Sequence, residues 1–153
     1  MPILELEFEM HVDLGESYEV GAGPFGARVV ATTTGGRVSG DRLKGALVGS
    51  GGDWPLIGQD GVARLDIRST ITTVDDAVVF VQSLGLLEVT PQVMGVLGGG
   101  GEPAAFGDGL FWIHMRAETG DERYAWLNRA MLLAEGRFVP GPAIEYRVYR
   151  LEH

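Results

Sequence analysis

The stretch Leu4-Glu5-Leu6-Glu7-Phe8-Glu9-Met10-His11-Val12-Asp13-Leu14, LELEFEMHVDL, alternates apolar and polar side chains throughout. In an extended chain, alternate side chains point to opposite faces. Leu4, Leu6, Phe8, Met10, Val12 and Leu14 therefore share one face, and Glu5, Glu7, Glu9, His11 and Asp13 share the other. That pattern predicts a strand with one buried and one wet face, as antiparallel sheets use.

The same grammar continues outward. A Gly/Pro-rich loop, Gly21 to Gly26, separates this strand from a β-branched one at Arg28 to Thr34, which Gly35-Gly36 is expected to turn. Arg37 to Val48 reads as a further strand interrupted at Gly40 and Gly45, and Asp60 to Ile71, DGVARLDIRSTI, as a turn followed by a strand. Val74-Asp75-Asp76 predicts a hairpin turn into Ala77 to Leu84. Thr90-Pro91 reads as N-cap and first residue of a short helix, TPQVMGVL, stopped by the glycines from Gly98. Gly98 to Gly109 is expected to be a mobile loop. Strands follow at Gly109 to Glu118, Arg129 to Glu135 and Ile144 to Leu151, with one or two helical turns at ERYAWLN and a turn at Gly136 to Pro142. Eight or nine short strands with little helix predict an all-β, antiparallel closed β-barrel with one or two short helices, in a single domain spanning residues 1–153. Ala77 to Leu84 and Arg129 to Glu135 are apolar on both faces. A helix or second subunit against the outside, and hence a homodimer or higher homo-oligomer, is one expectation from that.

Composition narrows the function. The chain carries a net charge of -9 and lacks a Lys/Arg cluster, which argues against nucleic acid and anionic membrane surfaces as partners. It has no cysteine, which excludes disulfides, thiolate catalysis and Cys-based metal centres. The acidic, alternating start is unlike a signal peptide, and no apolar run has the roughly 20 residues needed to span a bilayer, so a cytoplasmic protein is expected. The histidines, His11, His114 and His153, are too scattered to predict a metal site. GAGPFG matches a dinucleotide fingerprint only in letters, because a strand rather than a helix follows it. No nucleotide or metal cofactor is expected.

The remaining chemistry is polar residues on strands. Asp66 and Arg68 share a face, as do Trp112, His114, Arg116 and Glu118. Alternation alone favours a solvated outer face carrying weak ion pairs. Three segments add to this reading: GGDWPLIGQDGVARLDIR (Gly51 to Arg68), HMRAETGDERYAWLNR (His114 to Arg129) and IEYRVYRLE near the end. Together they resemble domain-of-unknown-function family 3237, a group of uncharacterised bacterial proteins, over nearly the whole chain. The resemblance implies a single lipocalin-like or allene-oxide-cyclase-like barrel, and matches the family at Trp54, Asp66, Arg68, Glu118, Asp121, Tyr124, Trp126 and Asn128. Thr119-Gly120-Asp121 is equally well explained as a turn and N-cap.

With the resemblance, Asp66 and Arg68 are expected to face a barrel interior that holds one small ligand. Arg68 would anchor an anionic oxygen and Asp66 would transfer a proton. Trp54, His114, Arg116, Glu118, Tyr124, Trp126 and Asn128 would complete the binding surface. The expected function is a cofactor-independent isomerase, lyase, hydratase or cyclase acting on a small hydrophobic carbonyl or phenolic compound. A non-catalytic carrier of such a molecule and a structural protein with a packed interior are the rivals.

Overall fold

The computed structural model describes residues 1–152, so His153 lies outside the described residues. Ten strands follow in order: β1 (Ile3–Gly23), β2 (Gly26–Gly40), β3 (Lys44–Leu47), β4 (Gly52–Asp53), β5 (Leu56–Ile57), β6 (Val62–Thr73), β7 (Val78–Glu88), β8 (Phe111–Glu118), β9 (Leu132–Val139) and β10 (Ala143–Glu152). Helix α1 (Pro91–Leu97) lies between β7 and β8, and a 3-10 segment (Glu122–Arg129) between β8 and β9. All pairings are antiparallel, and they run round a ring, β1-β10-β9-β8-β7-β6-β3-β2, with β2 returning to β1. The molecule is an all-β, barrel-like fold. The ring is not a strictly closed cylinder, because β2 and β6 are bridged only by the short β3, β4 and β5.

Local chemistry sets the two helical pieces. The Thr90 hydroxyl accepts the N–H of Val93, and Pro91 follows as the first helical residue. Asp121 caps the 3-10 segment by accepting from the N–H of Arg123. Neither piece is long and apolar enough to cross a membrane.

Three elements differ from the sequence reading. First, β1 runs on to Gly23 and pairs with β2 as one long hairpin turned at Pro24-Phe25, so most of the Gly21 to Gly26 stretch is strand. Gly35-Gly36 is therefore not a turn but a bend within β2, next to a register shift at Asp13/Leu14. Any Cβ on Gly36 would fall 2.1 Å from the His11 carbonyl oxygen, so only glycine lets the two strands approach there. Second, β1 bulges between Leu6 and Phe8. The extra residue, Glu7, reverses the pleat: Phe8, Met10 and Val12 are buried, whereas Leu4 and Leu6 face outward and stay exposed. Glu7 is held by Arg42 and Arg150. Burial alone would raise its carboxyl, but the two guanidiniums hold it below the usual range. Third, the 98–109 segment is tethered. The N–H of Ala104 donates to the Phe138 carbonyl, and the Phe106 ring lies 4.7 Å from the Arg137 guanidinium and 4.2 Å from that of Arg147.

The two ends of the barrel are built differently. At one end the 3-10 segment plugs the ring with Leu127 and Tyr124, beside Leu43. The Tyr124 hydroxyl donates to Asp75 Oδ1 at 2.6 Å, and the Arg42 guanidinium stacks 3.7 Å above the Trp126 ring. Ile71, Val79, Ala134 and Val148 are completely buried in the wall. At the other end α1 lies across the ring without filling it. The outer face of β7 keeps Leu84 and Leu86 exposed, so among the described residues no helix covers that part of the first doubly apolar strand.

Candidate functional site

A cavity of about 400 Å³ occupies the α1 half of the barrel. The inward side of the pleat forms its wall: Leu65 and Ile67 from β6, Val81 from β7, Ile113 and Met115 from β8. Val93, Met94 and Leu97 of α1 lie across the top. Within this apolar shell the polar side chains are few: Ser17, Thr33, Ser69 and Ser83, with Glu19 on the β1 arm, and then Asp53 and Tyr146.

Asp53 reaches the wall through two glycines. A Cβ on Gly51 would lie 2.7 Å from the Arg68 carbonyl oxygen, and one on Gly52 would lie 2.8 Å from that of Ala31. Only the Gly-Gly pair lets β4 slip between β2 and β6, where Asp53 pairs with Ala31 and Ile67. Its Oδ1 accepts the N–H of Asp66 at 3.0 Å, which fixes the carboxyl against the wall. Burial raises its pKa to about 6, and the nearby Asp66 carboxylate adds to the rise, against the backbone N–H groups of Asp66 and Trp54. Asp53 therefore exchanges its proton close to neutral pH.

Tyr146, on β10, is buried against Phe111, whose ring meets it edge-on at 5.5 Å between centroids. Burial, and then the charge of Asp53, push its phenol well above the ordinary range. It stays protonated and serves the cavity as a hydrogen-bond donor. A carboxyl poised near neutrality and a protonated phenol thus line one apolar space.

The expectation that Asp66 and Arg68 face the interior is corrected. On β6 the inward positions are Ala63, Leu65, Ile67, Ser69 and Ile71, so Asp66 and Arg68 take the outer face. Their side chains are 39% and 56% exposed, and Arg68 Nε lies 4.0 Å from Asp66 Oδ1. That oxygen is itself buried without a hydrogen-bond partner among the described residues. The alternation holds, and the inward face is the apolar one. His114, Arg116 and Glu118 stand on the outer face of β8, opposite the buried Ile113, Met115 and Ala117. Arg116 donates there to Gln82 Oε1. Trp54 lies on the outside, its carbonyl accepting from Arg28 at 2.6 Å. Tyr124 and Trp126 belong to the opposite plug, and Asn128 braces the turn by bonding both the N–H and the carbonyl of Thr119. None of these nine residues lines the cavity.

Sequence reasoning passed over Asp53, Tyr146 and Ser83. Tyr146 was visible in principle, since it alternates with Ile144 and Val148 on the apolar face of the last strand. Asp53 sits in SGGDWP, which reads as a turn, and the two-residue strand it belongs to has no periodicity to detect.

A small antiparallel, barrel-like fold with one hollow, apolar end and a carboxyl and a phenol in its wall is the class this geometry defines. The chain belongs to the family described as protein of unknown function (DUF3237), whose model matches residues 2–151. It is 28% identical over 134 residues to a UPF0311 protein of Rhodopseudomonas palustris, covering 86% of this chain and 87% of that one. A β-barrel-like protein from Acinetobacter baumannii superposes with a TM-score of 0.81 at 28% identity, covering 99% of this chain and 97% of the other. An enzyme from Penicillium herquei superposes with a TM-score of 0.72 at 21% identity, covering 99% and 95%.

Proposed function

We propose that the protein is a cofactor-independent enzyme that moves a proton on a small hydrophobic molecule held in the barrel, in a reaction of the isomerase, lyase or cyclase type. The observation that carries this reading is Asp53: a wall carboxyl fixed by the Asp66 N–H and poised near pH 6, facing an otherwise apolar cavity. Above that pH Asp53 is a base, able to take a proton from a carbon or hydroxyl of the ligand. The Tyr146 phenol then donates to the oxygen on which negative charge develops, and the apolar wall strengthens that contact by excluding water. Returning the proton to another atom completes an isomerisation, an elimination or a ring closure. A barrel of the same architecture being an enzyme in Penicillium herquei agrees with the reading.

The test is solvent deuterium exchange into 2-tetralone, an uncharged two-ring ketone with acidic α-hydrogens, followed by NMR. The native protein is expected to accelerate exchange, with a rate rising as pH passes about 6. Asp53→Asn should lower the rate by 100-fold or more while the ketone still binds. Exchange no faster than in buffer, with the ketone bound, would favour the carrier reading instead.

A further inference from the structure

We infer that the cavity admits uncharged ligands and rejects anions, so that its substrates are neutral alcohols, phenols or ketones and not carboxylates, sulfonates or phosphates. The inference rests on the cavity being the working site, as proposed above, and it goes on to name the class of molecule the site takes.

The lining contains no Lys, Arg or His; its two carboxylates are Asp53 in the wall and Glu19 at the exposed rim on the β1 arm. An anion entering this space would lose its water shell and gain no cation in return. It would also meet the charge of Asp53 across a few ångströms of apolar space, where like-charge repulsion is strong. Arginines on the strands around this end are engaged outside the cavity, Arg64 with Asp60 among them. Arg28 donates to the Trp54 carbonyl, Arg68 faces solvent beside Asp66, and Arg137 and Arg147 flank the Phe106 ring, with Arg137 also paired to Glu145. A neutral hydroxyl or carbonyl pays none of these costs. It donates to Asp53 or accepts from Tyr146 while its rings meet the apolar wall.

Two fluorescent probes with the same aromatic skeleton separate the cases: N-phenyl-1-naphthylamine, which is uncharged, and 1-anilinonaphthalene-8-sulfonate, which carries one negative charge. Both are titrated at pH 8 into the native protein and into Ala31→Phe, which fills the cavity from β2; Ser69→Phe serves if that variant fails to fold. Only binding lost in the filled variant counts as cavity binding. The neutral probe is expected to bind there and the sulfonate on the order of 100-fold more weakly. In Glu19→Gln/Asp53→Asn the gap should narrow by tenfold or more. A gap below tenfold in the native protein, or one that the double variant leaves unchanged, overturns the charge rule. The proton-transfer reading survives either result, since the exchange assay uses a neutral ketone. If neither probe occupies the cavity, the charge rule and the reading beneath it fall together.

Discussion

Asp53 is the residue on which chemistry and stability pull in opposite directions. Its folded pKa of about 6 lies above the ordinary value of 3.8, so the folded state holds its proton more tightly than the unfolded chain does. Charging it therefore costs stability. The cost is absent below about pH 4, grows as pH rises through 6 and is complete above that. At pH 8 the shift corresponds to at most about 3 kcal/mol. Asp53→Asn retains an oxygen to accept the Asp66 N–H and removes the charge. Its melting temperature should exceed that of the native protein at pH 8 and match it at pH 4. Equal melting curves at both pH values would show that the carboxyl is not desolvated. Arg68, by contrast, is a half-exposed partner 4.0 Å from Asp66, a contact worth little in water.

At the scale of elements, single residues decide where strands meet. The bulge at Glu7 turns the start of β1, Ile3 to Leu6, inside out, and the Gly51-Gly52 pair inserts β4. Gly85 of β7 packs directly against the backbone of β8. A Cβ there would lie 2.3 Å from the Trp112 carbonyl oxygen and 2.7 Å from Ile113 Cα, both backbone atoms that cannot rotate away. Gly85→Ala should therefore part the two strands and cost about 2–3 kcal/mol in chemical denaturation, as overpacked sites do. A variant as stable as the native protein would show that β7 and β8 have slack at this point.

The molecule as a whole is solid at one end and hollow at the other. Leu127, 1% exposed, is packed on all sides by the plugged end, whereas Leu65, 5% exposed, borders the cavity. A side chain beside empty space has fewer partners to lose. Leu127→Ala should cost about 3–5 kcal/mol and Leu65→Ala about 1–2 kcal/mol less, measured by urea unfolding. The reverse order would contradict the placement of the void. The packed end supplies the stability that the hollow end forgoes.

By itself the sequence determined the all-β class, the first part of β1, the strands from β6 to β10, both helical pieces with their caps at Thr90 and Asp121, and the family. These are local properties: a period of two, a capping hydroxyl or carboxyl, a proline at the first helical turn. It also determined that Asp66 and Arg68 share one face and Leu65 and Ile67 the other. Which of those faces is inside was decided only by the tertiary structure. Periodicity says which side chains travel together, while the choice of side depends on how a strand enters the ring, and one extra residue reverses it, as Glu7 does to Leu4 and Leu6. Asp53 reached the cavity wall for a related reason: its strand is too short to carry a pattern, and its place is set by two carbonyls, of Ala31 and Arg68, that are close to it only once the barrel has formed.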